Sequence, residues 1–471
     1  MTHGSRIRVP ALTRVEGEGG LEIVVSDGQV TETRLDIYEP PRFFEALLRG
    51  RQYTEPPDIT ARICGICPVA YQMSACQAIE DACGATVTED IRALRRLLYC
   101  GEWIESHALH IYLLHAPDFL GYPSGIHLAR DHPDIVARGL RIKKAGNHLM
   151  AAIGGRSVHP VNIRVGGFYR APAASELREL VPELERARQD AEDTITWVAG
   201  FDFPDFNRDY EFVALRHESQ YPITEGRIAS TGGLNITPAE YDQHFTEFQV
   251  EHSTALHSVL DGRTYLTGPL ARYSLNSATL PADVRRAARA AGLDGRQTSP
   301  FRSIVVRAVE LLFACDEALR LIHEYRPPDP PAVAVTPPRG GAAATIATAA
   351  TSETRATGAP VATGEPGAPV ATGYGCTEAP RGLLYHRYAI TADGTITDAK
   401  IVPPTSQNQR AIEADLREFA GPRLGMDHEM LTTACEQAVR NHDPCISCAA
   451  HFLDLRLSTD GRRPETAVSR P

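Results

Sequence analysis

No stretch of the 471-residue sequence reaches ~18 uninterrupted apolar residues, so a membrane-spanning helix is not expected. The opening segment, MTHGSRIRVPALTRVEGEGG, has no apolar run behind its charges and does not read as a secretory signal. No basic block stands out against a net charge of −11, and nucleic-acid binding has little support. These absences predict a cytoplasmic protein, unless a partner with an export signal carries it elsewhere. Large apolar residues are nearly missing from 327–373, where Pro, Ala, Thr and Gly dominate and GAPVATG occurs twice. Such a segment cannot bury enough surface to offset its ordering entropy, and it reads as a disordered insertion.

What is present is an ordinary globular composition, 43% hydrophobic and 23% charged, long enough for a large core. Apolar and polar residues alternate on both sides of Asp27-Gly28 over 20–37, and again around Asp393-Gly394 over 384–402. Both read as hairpins, expected at the periphery. Helical spacing predicts a short helix over 41–50, a helix from Pro68 to about 82, and a long one capped by Thr88 and running to 119. Further helices are predicted over 174–199, 280–291, 300–325, 408–420 and 428–440. The expected fold class is mainly α with small peripheral β hairpins, an α+β chain around a large helical core. A single domain is expected to comprise 1–326 and 374–451, interrupted by 327–373 and followed by a tail at 452–471.

Ten cysteines are present, and a chain this large without a signal segment does not need a disulfide framework. RICGICP at 62–68 and DPCISCAAH at 443–451 each carry a Cys-x-x-Cys pair. Gly65 permits a tight turn between Cys64 and Cys67, and Arg62 with the helix beginning near Pro68 favours thiolates. Thiolates are soft ligands for zinc, copper(I), nickel or iron–sulfur clusters. A structural zinc site on a non-catalytic scaffold is one reading. Zinc ribbons, however, space their pairs by ~15–20 residues, and here the pairs lie near opposite ends of the chain. Spacing alone leaves the metal open. Asp443 and His451 flank the second pair and suit roles around a metal or at a second, harder ion. Cys76, Cys83, Cys100, Cys315, Cys376 and Cys435 lack ferredoxin spacing and read as buried small apolar residues.

RICGICP together with DPCISCAAH resembles the paired signature of the large, catalytic subunit of nickel–iron hydrogenases. TRVEGEG (13–19), PRFFEALLRGR (41–51), HALHIYLLHAPDF (107–119), EAPRGLLYHRY (378–388) and IVPPTSQN (401–408) are similar to further segments of that family, in family order. The resemblance spans the chain apart from 327–373 and its last residues. It implies a large helical-bundle core and reversible heterolysis of H2 to protons and electrons. It implies nickel on Cys64, Cys67, Cys445 and Cys448, with Cys67 and Cys448 bridging to an iron that carries carbonyl and cyanide ligands. Cys445 would be the first base and Glu16 the proton relay. Arg381 would lie over the metals, pinned by Asp118 and Asp443, with Pro404 and Thr405 beside the iron's ligands. Glu45, His451 and the backbone carbonyl of Lys400 would hold Mg2+ or a similar ion.

Many relatives have His where Glu18 stands and Ser where Pro404 stands. Both departures resemble the cytoplasmic branch coupled to NAD(P) or a similar carrier. With no cluster motif of its own, the chain is expected to need an iron–sulfur small subunit, docked on a partly apolar face around Cys64–Cys67, and flavin-containing diaphorase-type subunits. A maturation peptidase is expected to cut after His451. A quinone-reductase-type relative without metal chemistry is disfavoured by the retention of all four cysteines.

Overall fold

The computed structural model describes residues 5–338 and 367–450. Helices dominate, and the strands form small antiparallel sheets, as the sequence patterns predict. The first sheet joins β1 (Ser5–Val9), β2 (Gly19–Ser26) and β3 (Gln29–Ile37). Its β2–β3 turn is Asp27-Gly28, both residues at positive φ, the geometry a two-residue hairpin turn requires.

The short helix α1 (Phe44–Leu48) leads to α2 (Pro68–Ala82), which starts on Pro68, a residue preset for the first helical position. The Thr88 hydroxyl then caps α3 (Glu89–Leu109) by accepting from Ile91 N. The expected single helix to 119 is interrupted. Residues His110–His115 form a π-helical segment before a last turn at Ala116–Phe119. Such wide segments occur often at functional sites, and this one rotates Asp118 relative to the α3 register.

Against α3 pack α4 (Pro133–Gly154), which the sequence reading did not single out, and α6 (Ser303–Glu324), with α5 (Val181–Ala199) behind α6. The helix expected over 174–199 is broken after Arg178 and restarts at Val181, with Pro182 in its first turn. Strands β4 (Phe245–Val250) and β5 (Ser253–Leu260) form a hairpin between α5 and α6 in sequence.

After the insertion, β6 (Ala371–Ala379), β7 (Gly382–Ile390) and β8 (Ile396–Val402) form one sheet. The second expected hairpin is thus the β7–β8 half of a three-stranded sheet. It lies deeper than expected, covered on one face by α2 while Tyr385 stacks on Tyr241 on the other. Of the expected insertion, 339–366 lies outside the described residues. Within 327–338, Val333 donates its N–H to the Gly166 carbonyl. The chain then forms α7 (Pro404–Ala420), α8 (His428–Arg440) and the single turn α9 (Ile446–Ala449). α7 begins ahead of the expected residue 408 because Pro404 occupies its first position.

Candidate metal centre

The two Cys-x-x-Cys segments meet. The four sulfurs of Cys64, Cys67, Cys445 and Cys448 all lie within 4.8 Å of one another. Cys64 and Cys445 sulfurs stand 3.6 Å apart, and those of Cys67 and Cys448 3.8 Å, too far for disulfides. All four are 1–3% exposed, so bulk water does not reach them.

Local structure explains the convergence. Cys67 sits at the residue just before α2, and the N–H groups of Ile66 and Cys67 each donate to Cys64 Sγ at 3.3 Å. Gly65 is not what closes this turn, contrary to expectation. It has no positive φ, and a Cβ there would meet open space. Cys445 sits just before α9 and pairs with Glu16 as a parallel bridge, with Ile446 N donating to Glu16 O at 2.8 Å. Gly17 is essential to that approach. It sits at φ 88, and a Cβ would stand 2.8 Å from Ile446 Cβ and 2.9 Å from Ser447 N. Thr405, in the first turn of α7, accepts from Cys445 N at 2.9 Å. Pro404, at the first position of that helix, is buried beside it.

The positive charge at the sulfurs comes from Arg381, not Arg62, whose side chain faces solvent. Arg381 rides on the two-residue turn between β6 and β7, where Ala379 pairs with Gly382. Its Nε donates to the Asp443 carbonyl at 2.9 Å and its NH2 to Asp443 Oδ1 at 3.2 Å. Although burial opposes its charge, Asp443 and the neighbouring sulfurs outweigh that and hold the guanidinium protonated. Its NH1 is buried without a protein partner.

Asp118 does not pin Arg381. Its carboxylate is taken by Arg440, at 2.8 and 2.9 Å, and by Arg14. The π segment delivers it to that pair instead, tying α8 to the approach to Glu16. The second partner of Asp443 is Arg307, whose NH1 lies 3.4 Å from Oδ2. Arg307 was missed in the sequence, where its signal is a charge set inside the apolar run SIVVRAVELLF, three residues before Glu310. Also missed was Glu102 of α3, which accepts from Val69 N and Ala70 N and so caps α2 directly behind Cys67.

Hydrogen bonds from Cys445, then Cys448 and Cys67, hold the Cys64 thiol well below its usual range. Burial pushes Cys445 and Cys448 up. Four sulfurs at this spacing in a dry site would ionise together only around a cation, and soft late transition metals suit the donor set. The residues therefore fit a nickel–iron group. Glu16 Oε2 accepts from Cys445 Sγ at 3.0 Å and from Ser447 N at 3.1 Å. Burial first, then the Cys64 thiolate, raises the Glu16 carboxyl above the usual carboxylate range.

Glu45 is buried and accepts from Ile401 N at 2.8 Å, one residue beyond Lys400. Lys400 Nζ turns to Asp242 and Glu247. His451, the third expected member of that set, lies outside the described residues, as do the expected cleavage point and the tail at 452–471. Of the remaining cysteines all are buried except the half-buried Cys83, and burial pushes the Cys76 thiol up to about 12.

Comparison with known proteins agrees with this geometry. The nickel-dependent hydrogenase family profile matches residues 42–130. The chain is 32% identical to the alpha subunit of sulfhydrogenase 1 of Pyrococcus furiosus over 451 residues, covering 95% of this chain and 98% of that one. It is 33% identical to the alpha subunit of sulfhydrogenase 2 from the same organism, covering 95% and 100%. Among solved structures, an NAD+-reducing [NiFe]-hydrogenase in the H2-reduced state matches with a TM-score of 0.78 at 25% identity, covering 95% of this chain and 99% of that one.

Proposed function

The chain belongs to the nickel-dependent hydrogenase family as a large, catalytic subunit, and on that premise we propose how its own residues serve H2 turnover and where the electrons go. Cys64, Cys67, Cys445 and Cys448 would bind nickel, with Cys67 and Cys448 also on an iron carrying carbonyl and cyanide ligands. When bound, the metal pair supplies the Lewis acidity that polarises H2 toward heterolysis.

The protein's part is proton handling and enclosure. Cys445 Sγ accepts the proton, and Glu16 Oε2, 3.0 Å away, receives it. Ser447 N–H holds that carboxylate in place at 3.1 Å. Arg381, fixed by Asp443, presents its unpartnered NH1 within the dry site. Thr405 fixes the Cys445 backbone, and Pro404 offers no hydroxyl beside it. A fixed donor in a water-excluded pocket stabilises developing charge without reorganisation. Asp118 acts as a positioning residue through Arg14 and Arg440.

A Mg2+-type ion would be held by Glu45, His451 and the Lys400 carbonyl. Electrons would leave through an iron–sulfur small subunit seated near the exposed Gly65 and half-buried Ile66. Flavin-containing subunits would carry them to NAD(P) in the cytoplasm. The NAD+-reducing relative supports that acceptor, as do Glu18 and Pro404 in place of His and Ser. A peptidase trimming after His451 completes the expected set of partners.

The observation that carries this reading is the single cluster of four buried sulfurs, drawn from both ends of the chain, with Glu16 against one of them. The experiment is infrared spectroscopy and elemental analysis of the purified complex. Carbonyl and cyanide bands with nickel and iron in equal amounts are expected. Zinc alone, without those bands, would establish a structural site on a non-catalytic scaffold.

A further inference from the structure

A second set of metal-binding side chains converges away from the sulfur cluster. His252 lies in the turn between β4 and β5, His257 lies in β5, and Glu413 lies in α7. One ligand atom from each falls within 4.8 Å of the others. His252 Nε2 stands 2.7 Å from Glu413 Oε1, and His257 Nε2 stands 3.9 Å from the same oxygen.

The plain alternative is a surface His–Glu hydrogen bond beside an unrelated buried histidine. That accounts for His252 and Glu413. It does not account for His257, which is 2% exposed and whose Nε2 has no hydrogen-bond partner while facing the carboxylate. At 3.9 Å the contact is too long for a hydrogen bond, and a buried ring nitrogen left unpaired is unfavourable. A shared ion removes that deficit. A tetrahedral ion with bonds of about 2.0–2.1 Å spaces its ligands roughly 3.3 Å apart, and the two observed separations bracket that value.

The surroundings are built rather than incidental. Leu35 N donates to Glu413 Oε1 at 2.9 Å, and Thr33 Oγ1 donates to the Glu413 carbonyl at 2.6 Å, so β3 fixes the carboxylate. The β4–β5 pairing shifts register between Ser253 and His257, an irregularity of the kind that re-aims a side chain. His252 is one-fifth exposed and lines a cleft of about 410 Å³, which leaves a route for an ion. Two imidazoles and one carboxylate select zinc-class ions over magnesium or calcium.

We infer that His252, His257 and Glu413 form a second metal site, separate from the sulfur cluster, which takes one divalent ion of the zinc class and clamps the β4–β5 turn and β3 onto α7. Water fills the fourth position. The clamp bears on the catalytic region through α7, whose first turn holds Thr405 against Cys445 N.

The test is zinc uptake by the purified holoenzyme complex after chelator treatment, with zinc, nickel and iron counted per chain. Wild type is expected to take up one more zinc than His252→Ala, and zinc is expected to raise the melting temperature of wild type only. Changing residues that merely support a metal ligand lowers affinity about 10–100-fold, so losing His252 should weaken zinc binding by at least about tenfold. Nickel and iron stay unchanged. His257→Asn should behave likewise; because it is buried and can fail to fold, His252→Ala in the partly exposed turn decides. Equal zinc uptake and equal affinity in wild type and His252→Ala, or no extra zinc in wild type, overturns the site.

Discussion

The sulfur of Cys445 lies 3.0 Å from Oε2 of Glu16, although 429 positions separate the two residues. The contact depends on the parallel bridge between them and on Gly17, which lets the chain pass against Ile446 and Ser447. Glu16→Gln keeps the shape and the Ser447 N–H contact but removes the proton acceptor. Nickel and iron content should be retained, while H/D exchange and H2 oxidation fall about 10²-fold or more, the usual scale for a lost general base. Exchange at the wild-type rate with full metal loading would remove Glu16 from the proton route.

Arg381→Lys tests the fixed guanidinium. Lysine keeps the charge but cannot serve the Asp443 carbonyl and Oδ1 together while leaving a further donor in the site. Turnover should fall roughly 10²-fold, as for a preorganised donor removed elsewhere, with metal content intact. Loss of nickel alongside activity would assign Arg381 to metal retention instead.

Behind that turn, Arg272 is fully buried. It pairs with Glu310 and Glu378 and donates to the carbonyls of Ala379 and Pro380, directly before Arg381. Arg272→Met leaves two buried carboxyls without their cation. Breaking such a network costs about 3–5 kcal/mol, far more than a surface ion pair. Urea-unfolding midpoints of the variant should show that loss, and a change below about 1 kcal/mol would mean the network relaxes around methionine.

Much of this was legible in the sequence, for definable reasons. Thr88, Pro68 and Asp27-Gly28 act on their own neighbours, so local chemistry fixed the helix starts and the first turn. The Cys pairs carried the centre because soft ligands in pairs have few uses. Contacts made across the fold left weaker traces. Asp118 looks like a partner for any nearby arginine, and only the π segment decides that it meets Arg14 and Arg440. Glu102 is one carboxylate on a long helix until the first turn of α2 starts against it. The second hairpin reads as one-sided because strand periodicity does not reveal that Tyr241 will cover its other face. Gly65 shows the opposite error, a glycine whose turn does not require one.

The histidines of the 107–115 segment give a prediction in pH. His115 is fully buried with both ring nitrogens unpaired, and burial, then His110 and nearby arginines, pushes its pKa well below the usual value. The unfolded chain binds a proton at this residue below about pH 6.5, while the folded chain refuses it. His115 therefore adds stability that is present above about 6.5 and lost as pH falls, by up to ~1.4 kcal/mol per pH unit. His107, lowered to about 4 by burial, acts in the same direction. Glu378 acts in the opposite one. Burial raises it to about 7, so its contribution is present below about 4.5 and lost as pH rises toward 7. Both groups remain in His115→Phe, whose ring can keep the edge contact with Phe119. Urea midpoints compared between wild type and variant at pH 7.5, 6.5 and 5.5 isolate the one histidine. The variant should lose less stability on acidification, by about 1 kcal/mol between the last two points. Parallel pH profiles would show that His115 titrates in the folded chain as it does in the unfolded one.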